Sequence, residues 1–355
     1  MAVDERMKER METMTKKKTR LFALLLSILM LLAGCSRSGG NTTGNDEFLI
    51  DQVDVGGNLK FTTGGDQGTY YAFGSVLAGQ VSSATGTTVT AITSQGSQAN
   101  IQALAANDAQ LAFVQSDVMA YAYNGTNLFS EPVTNFSTVC AMYMEQVQIV
   151  TLDPSIRSVA DLAGRTVSVG DAGSGVYFNA IDILGAYGID INTGINPVYE
   201  SFGTSADSLQ DGKIDAAFVV AGAPTNAITS LSASRQVYLV SLDDEHIDAL
   251  LAASPYYARS VIPAETYNMP EDAVTVAVSA VVIARDDVPT IDVYHFVSAI
   301  YDNLDAVTAA HAKGAELDMA FAASITSVPY HQGAYDYFDT ENGFNVPLKE
   351  GTDNQ

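Results

Sequence analysis

A glycine-rich elbow over residues 59–74, LKFTTGGDQGTYYAFG, has the residue types and spacing of a small anion-binding site. A strand-like run there meets three glycines, and a helix-like segment follows. The first N–H groups of a helix have no partner inside the helix and carry partial positive charge, so such an elbow suits an anion. The candidate ligand-binding residues are Gly68, Thr69, Tyr70 and Tyr71. The alternative is that the glycines only turn a strand into a helix.

A second elbow, TVSVGDAGSGVYFNA over residues 166–180, repeats this arrangement later in the chain. Its candidate ligand-binding residues are Ser174, Gly175 and Val176. Two such elbows suggest that one ligand is bound between them and contacted from two sides. A G-x-S-x-G nucleophile elbow is not indicated, because Ala172 stands where that motif needs glycine and no convincing base accompanies Ser174.

The first elbow does not match a nucleotide-binding loop. Its sequence over 64–69 is GGDQGT rather than G-x-G-x-x-G, and residues 83–100 contain no acidic partner for a ribose. No G-K-[ST] phosphate loop is present either. A small-molecule anion is therefore the expected ligand, and no cofactor is expected.

Two more polar segments follow strand-like runs: TSQGSQAN over 93–100 and FVQSDVMAYAYNG over 113–125. In open α/β sheets, ligands lie outside the carboxyl ends of parallel strands. The candidates in these segments are Ser97, Asn100, Gln115, Ser116 and Asp117. Ser97 alternatively caps a helix, and Asp117 alternatively favours a helix N-terminus without facing a cleft.

The N-terminus has the pattern of a targeting segment. A basic region precedes the apolar run 21–32, which is shorter than the roughly 20 residues of a bilayer span and ends in Leu-Ala-Gly-Cys35. This resembles a lipobox, so residues 1–34 are predicted to be a lipoprotein signal peptide and Cys35 the lipidated residue. Residues 35–57, rich in Ser, Gly, Asn and Thr, are predicted to be a flexible tether.

Charge and cysteine usage exclude several classes of protein. Residues 1–34 hold 7 of 17 basic and 4 of 41 acidic residues, which leaves 10 and 37, a net charge of −27. So acidic a chain would repel nucleic acid. Cys140 lies in an apolar run and is interpreted as a buried hydrophobe, while the four histidines show no metal-ligand spacing, so no metal site is expected.

Short apolar runs alternate with helix-like segments from Leu59 onwards, which indicates an α/β fold with parallel strands covered on both faces. The long apolar run 136–150 and the run 274–284 could carry the chain between two lobes. The preferred organisation has lobe I over 58–143 and 284–345, lobe II over 144–283 and a C-terminal tail over 346–355. Two sequential domains with one linker are the alternative.

Several motifs in order resemble the TAXI family of extracytoplasmic solute receptors, the binding subunits of one class of TRAP transporters. They are TTGGDQGTYYAFG, QGSQAN, LAFVQSDVMAYAYNG, VGDAGSGV and a late His331-Gln332-Gly333-Ala334 with Tyr337, spread over about 59–344. The chain departs from the family at Val176, where threonine is frequent, and at Tyr143-Met144-Glu145, where Tyr-Pro-Glu is frequent. Tyr143 is a further candidate ligand-binding residue.

The resemblance implies a two-lobed, periplasmic-binding-protein-like (type II) clamshell that closes on its ligand. It implies a small anionic or zwitterionic solute, such as a glutamate-like amino acid or a dicarboxylate, a TRAP-type integral membrane permease as partner, and a monomer. With the lipobox, it implies an extracytoplasmic protein anchored to the membrane. A sensory binding lipoprotein is an alternative function, and a lipid-anchored hydrolase pairing Ser174 with His331 is another.

Overall fold

The structure, a computed structural model, describes residues 57–349. Strands that are each followed by a helix make up most of this part of the chain. The predicted signal peptide, Cys35 and the tether before Gly57 lie outside these residues, as do residues 350–355 of the predicted tail.

The first part of the described chain has seven main elements. They are β1 (Asn58–Thr62), α1 (Thr69–Ala84), β2 (Thr88–Ile92), α2 (Ser97–Ala105), β3 (Leu111–Gln115), α3 (Ser116–Asn124) and β4 (Phe136–Thr151). The middle part contains β5 (Thr166–Ser168), α4 (Val176–Ala186), β6 (Asn196–Val198), α5 (Phe202–Gln210), β7 (Ala216–Ala221), α6 (Asn226–Ser232), β8 (Tyr238–Leu239), α7 (Asp244–Ala253) and β9 (Ala258–Ile262). The last part contains β10 (Ala273–Arg285), α8 (Thr290–Tyr301), α9 (Leu304–Ala310), α10 (Met319–Ala322), α11 (Gln332–Tyr335) and a π-helical turn (Asp336–Glu341).

All ten strands belong to one mixed sheet with the order β2-β1-β3-β10-β4-β7-β5-β6, in which β8 pairs with β4 and β9 with β10. Two sets of strands are parallel: β1 with β2 and β3, and β5 with β6 and β7. The long strands β4 and β10 run antiparallel to each other between these sets. The parallel α/β expectation is confirmed for both sets, and the two antiparallel strands that join them make the whole sheet mixed.

The two long strands each contribute to all three hydrophobic clusters of the described chain. Along β4, residues up to Tyr143 join a large cluster, and residues from Val147 join a second one. Along β10, the same change of cluster lies between Val278 and Ala280, which is earlier than the predicted lobe boundary at 283/284. Gln146 marks the change in β4, because it pairs with Ala277 of β10 on one side and with Ala221 of β7 on the other.

We call the side of the molecule that contains the large cluster lobe I. The other side, which contains the second cluster and a third one around Phe202 and Tyr267, is called lobe II. Burial explains why the strands form: every residue of β3 and β7 is buried, as expected for strands covered by helices on both faces. Cys140 is also fully buried, which confirms its interpretation as a core residue.

The alternation expected from Leu59 onwards is present, and the apolar runs 136–150 and 274–284 form the long strands β4 and β10. The alternating pattern is weak in α7, where only Ile247 and Leu250 are buried. Within residues 57–349, no helix has both the length and the apolar character that crossing a bilayer requires.

Candidate functional site

A cavity of about 60 Å³ lies where the carboxyl ends of the parallel strands meet. It is lined by Gly64, Gly65, Gly68, Thr69, Tyr70, Ser94, Gln95, Gly96, Ser97, Gln115, Glu145, Asp171, Ser174, Gly175, Val176, Ser201, Phe202, Val220 and Ala221. Since one water needs about 10–15 Å³ of such volume, the cavity has room for about four to six waters. It fits a small organic solute and is too small for a nucleotide or a peptide.

Five helices begin at the wall of this cavity. The helices α1, α2, α3, α4 and α5 each supply their N-cap residue or a residue of their first turn to the lining. This convergence follows from the topology, because each helix leaves the carboxyl end of a parallel strand. The N–H groups of a first turn have no acceptor inside the helix, and each helix start carries about half a positive charge.

The first elbow is closed by its own backbone and held by aromatic packing. The Gly68 N–H donates to the Gly65 carbonyl at 3.0 Å, which sets the start of α1. The Tyr70 ring stacks on Phe113, with centroids 4.7 Å apart and planes 7° apart. The Tyr70 hydroxyl donates to Glu145 at 2.5 Å, so Tyr70 and Glu145 form one fixed unit at the cavity wall.

Glycine is required in the second elbow where backbone from the two lobes meets. Gly170 and Gly173 both have φ of +87°, a conformation that other residues rarely adopt. A Cβ atom on Gly175 would lie 2.0 Å from Gln115 Oε1 and 2.8 Å from Ser97 Oγ. Only glycine at 175 therefore lets the second elbow approach the starts of α2 and α3 this closely.

Three hydrogen bonds join the lobes around the cavity. The Ala99 N–H donates to the Gly173 carbonyl at 3.0 Å, and the Thr69 hydroxyl donates to the Gly222 carbonyl at 2.9 Å. The Ala227 N–H donates to the Gln67 carbonyl at 3.2 Å. These bonds bring the two lobes together across the cleft, so the structure shows the closed arrangement of the site.

The charges around the cavity are the partial positive charges of the helix starts and the carboxyl groups of two acidic side chains. Among the described residues that line it, none is Lys, Arg or His, whereas Glu145 and Asp171 are acidic. Burial raises the pKa of the Glu145 carboxyl well above its ordinary value, although the hydrogen bond from Tyr70 lowers it. Within residues 57–349, no group of three or more His, Cys, Asp or Glu side chains is arranged to hold a metal ion.

Several predicted residues come together at this cavity: Gly68, Thr69, Tyr70, Ser97, Gln115, Ser174, Gly175 and Val176. Two of their polar atoms, Gln115 Oε1 and Ser174 Oγ, are buried and have no hydrogen-bond partner. Ser97 Oγ accepts the Gln115 N–H at 3.1 Å, which ties the start of α2 to the end of β3. Buried polar groups are normally paired, so these atoms are suited to contact a ligand.

Other predicted residues are not part of the lining: Tyr71, Asn100, Ser116, Asp117 and Tyr143. Asn100 is fully buried, and its Nδ2 donates to the carbonyls of Thr63 and Phe113, both at 2.7 Å. It therefore ties strand ends together beneath the site. Tyr71 is half-buried, and its carbonyl accepts the Ser75 hydroxyl.

Ser116 and Tyr143 are held by neighbours within the fold. Ser116 Oγ accepts the Ser279 N–H at 3.2 Å, which links α3 to β10. Tyr143 is 1% exposed, and Lys313 Nζ lies 5.4 Å from its ring centroid. Glu145, two residues beyond Tyr143 on the same face of β4, is the residue of that segment that reaches the cavity.

Asp117 belongs to a buried polar cluster that joins the lobes behind the cavity. Asn179 Nδ2, from α4, donates to Asp117 Oδ2 at 2.9 Å and also lies 2.9 Å from the Tyr257 hydroxyl. The Tyr257 hydroxyl donates to Asp182 at 3.0 Å. Burial raises the pKa of Asp117 to about 7, and the hydrogen bonds from backbone N–H groups and Asn179 only partly oppose this.

Sequence reasoning missed several lining residues: Glu145, Asp171, Ser201, Phe202, Val220 and Ala221. Ser201 and Phe202 follow β6, and Val220 and Ala221 end β7, so the strand-end rule that identified Gln115 applies equally to them. The strand-end rule does not identify Glu145, because this residue lies in the interior of the long strand β4.

The pairing of Ser174 with His331 that a hydrolase would need is absent. Ser174 Oγ has no hydrogen-bond partner, and His331 does not line the cavity. The His331 Nδ1 instead accepts the Gly333 N–H at 3.3 Å, as the cap of α11.

Comparison with solved structures identifies the fold. The malate-bound MatC protein of Rhodopseudomonas palustris is similar, with a TM-score of 0.52 and 13% identity over 73% of this chain and 88% of that chain. The aliphatic sulphonate binding protein SsuA of Escherichia coli has a TM-score of 0.42 and 14% identity over 74% of this chain and 79% of that chain. The glutamate-bound GluR0 ligand-binding core of Nostoc punctiforme has a TM-score of 0.43 and 16% identity over 72% of this chain and 98% of that chain. The likeness to MatC shows an α/β, type II periplasmic-binding-protein fold, with a mixed sheet flanked by helices.

The sequence itself matches a family over most of its length. Residues 61–343 fit the sequence profile of the NMT1-like family. The chain therefore belongs to the NMT1-like family.

Proposed function

We propose that this member of the NMT1-like family is a solute-binding receptor of transporter type, which captures a small carboxylate-bearing solute in the cavity between its lobes. The observation that carries the proposal is the convergence of five helix N-termini on one cavity, to whose lining the described residues 57–349 contribute no basic side chain. Fixed N–H groups of this kind hold a carboxylate without an arginine clamp.

The unpaired Ser174 and Gln115 atoms support the same interpretation, because a bound solute would satisfy polar groups that are otherwise buried without partners. The motifs shared with TAXI receptors support the finer proposal that the protein serves a TRAP-type permease. Anchoring through a lipid on Cys35 would keep the receptor beside that permease at the outer face of the membrane.

Ligand release requires the lobes to part. We place the hinge where the long strands β4 and β10 change partners, near Gln146, because only these two strands belong to both cores. Opening would break the hydrogen bonds Ala99–Gly173 and Thr69–Gly222 and expose the helix starts to solvent. A bound solute favours the closed form because it contacts both lobes only there.

A thermal-shift screen tests binding directly. Ligand-free protein is screened against amino acids, dicarboxylates and monocarboxylates, and a ligand at 100 times its Kd adds about 2.7 kcal/mol of stability. At roughly 2–4 °C per kcal/mol for a protein of this size class, the melting temperature should rise by about 5–10 °C. A flat response to every solute would show that binding is not the function.

Two substitutions at Gly68 then test the helix-start mechanism. Gly68 is the N-cap of α1 with φ of −101°, a position and conformation that both Asn and Asp favour. A Cβ there would lie 3.3 Å from the Gly65 carbonyl oxygen in either variant, so this contact cancels when the two are compared. Gly68→Asp adds a negative charge beside the bound carboxylate, whereas Gly68→Asn has the same shape and no charge. At an effective dielectric constant near 20, two such charges 5 Å apart repel by about 3 kcal/mol.

Calorimetry should therefore show the Asp variant binding the best solute of the screen about a hundredfold more weakly than the Asn variant. Equal affinities of the two variants would mean that no anionic group of the ligand lies at this helix start.

A further inference from the structure

Glu145 is a buried acid that faces the cavity without a cationic partner. It is 2% exposed, and among the described residues no Lys, Arg or His lies within 4.0 Å of its carboxylate. Lys313, whose charge reaches it electrostatically, is already paired with Glu316 at 2.6 Å. The single side-chain donor to Glu145 within the described chain is the Tyr70 hydroxyl.

A buried carboxylate in this setting needs either a proton or a cation. A ligand ammonium group would supply the cation, and the unpaired Gln115 Oε1 in the same cavity is a second acceptor for its hydrogens. The cavity thus has two kinds of wall: helix starts that donate hydrogen bonds, and acceptors at Glu145 and Gln115.

A dicarboxylate fits this charge pattern poorly. It would bring two negative charges into a cavity that already contains Glu145 and Asp171 and no basic side chain. A carboxylate of the ligand about 4 Å from an ionised Glu145 would, at an effective dielectric constant near 20, bind on the order of a thousandfold more weakly, so a dicarboxylate could bind there only with Glu145 protonated. A zwitterion adds no net charge and places its positive end where the acids are.

The remaining wall indicates what the rest of the ligand is. Lobe II contributes Val176, Phe202, Val220 and Ala221, whose side chains are apolar. The other lobe II residues of the lining are Asp171, Ser174, Gly175 and Ser201, and none of them is basic. A second carboxylate would therefore find no cation on this side, whereas the apolar side chains favour aliphatic groups.

We propose that the ligand is a zwitterionic α-amino acid with a small aliphatic side chain, whose carboxylate lies at the helix starts and whose ammonium contacts Glu145. This inference rests on the proposed function and narrows it. Glu145 is then a specificity-determining residue, and Tyr70 is a positioning residue that holds one of its oxygens.

The test uses probes that differ in one charged group. L-Valine, isovalerate (the same skeleton without the amine), L-valine methyl ester and glutarate are titrated into the protein by calorimetry. The wild-type chain should bind L-valine at least a hundredfold more tightly than isovalerate or the methyl ester. A preference for glutarate, or equal affinity for L-valine and isovalerate, would overturn the proposal.

Glu145→Gln tests the residue itself, with the exposed Glu131→Gln as the matched control. The Glu145→Gln variant should lose about a hundredfold in L-valine affinity, change less than threefold for isovalerate, and keep its circular dichroism spectrum. If the Glu145→Gln variant keeps its L-valine affinity, Glu145 does not contact the ammonium group and the proposal is wrong. If the variant does not fold, the comparison of the four probes on the wild-type chain still tests the proposal. Binding of dicarboxylates but of no amino acid would leave the proposed function standing, whereas binding of neither class in the wider screen would remove both.

Discussion

Replacing Asp117 with Asn should stabilise the protein at neutral and alkaline pH. Asp117 is fully buried, and burial raises its pKa from 3.8 to about 7. Asn keeps an oxygen that can accept the hydrogen bond from Asn179 Nδ2, but it has no charge to bury. Removal of the buried charge is therefore the largest effect expected of this substitution.

The sign and the size follow from the shift in the pKa. Between pH 4 and pH 7 the unfolded chain has lost the Asp117 proton and the folded chain has kept it, so the free energy of unfolding falls as pH rises through this window. Below pH 4 both states are protonated and the penalty is absent. A shift of about three units at 1.36 kcal/mol each gives a penalty of up to about 4 kcal/mol above pH 7.

Urea unfolding of ligand-free protein at pH 4.5, 6 and 8 measures this penalty. The stability of the Asp117→Asn variant relative to wild type should grow with pH, from about 1 kcal/mol at pH 4.5 to about 4 kcal/mol at pH 8. Burial also raises the pKa of Glu145 and Asp182, and the charge of Asp117 adds to the rise at Glu145. Removing that charge relieves both Asp117 and Glu145, so the two contributions to the difference have the same sign. Asp108→Asn, at an exposed position, is the control. Parallel pH profiles for wild type and Asp117→Asn, or a less stable variant at pH 8, would refute the reasoning.

The remaining predictions concern packing around the cavity. Gly175→Ala should weaken ligand binding at least tenfold in calorimetry, because its Cβ would lie 2.0 Å from Gln115 Oε1; Gly185→Ala in α4, with open space around it, should leave affinity unchanged. Asn100→Ala should lower the free energy of unfolding by about 1–3 kcal/mol, since the Phe113 and Thr63 carbonyls both lose the bond from Nδ2 and Thr63 keeps only the one from the Ser94 hydroxyl at 3.2 Å. The exposed Asn192→Ala is its control, and an Asn100→Ala variant as stable as that control would contradict the structural role given to Asn100.

Local pattern was enough to predict both elbows. The glycines around Gly68 and Gly175 follow short apolar strands and precede helices, and topology alone brings such strand ends to one edge of a sheet. Gln115 was found by the same rule and does line the cavity.

Side-chain direction could not be predicted in the same way. Asn100 and Asp117 stand in the first turn of helices that begin near the site, yet both point into the fold and bind neighbouring backbone or side chains. Glu145 reaches the cavity from the middle of a strand, and its role depends on Tyr70, which is far away in sequence. Such contacts are set by the packing of distant segments, which local patterns do not encode.

The two shared strands also determine the order in which the chain can complete its fold. Apart from Phe178, the large cluster takes residues from Leu59 to Tyr143 and again from Ala280 to Val346, whereas the other two clusters lie wholly between Val147 and Val278. As the chain emerges, the middle segment has its full set of core residues once Val278 is present, while the first segment still lacks the second half of β10 and the helices after it. Since domains generally fold as units as they emerge, lobe II can mature before lobe I, and the ligand cavity exists only once β10 and the helices after it have docked. A truncated chain that ends after Val278 would thus keep the core that supports the second elbow and lack part of the core that supports the first.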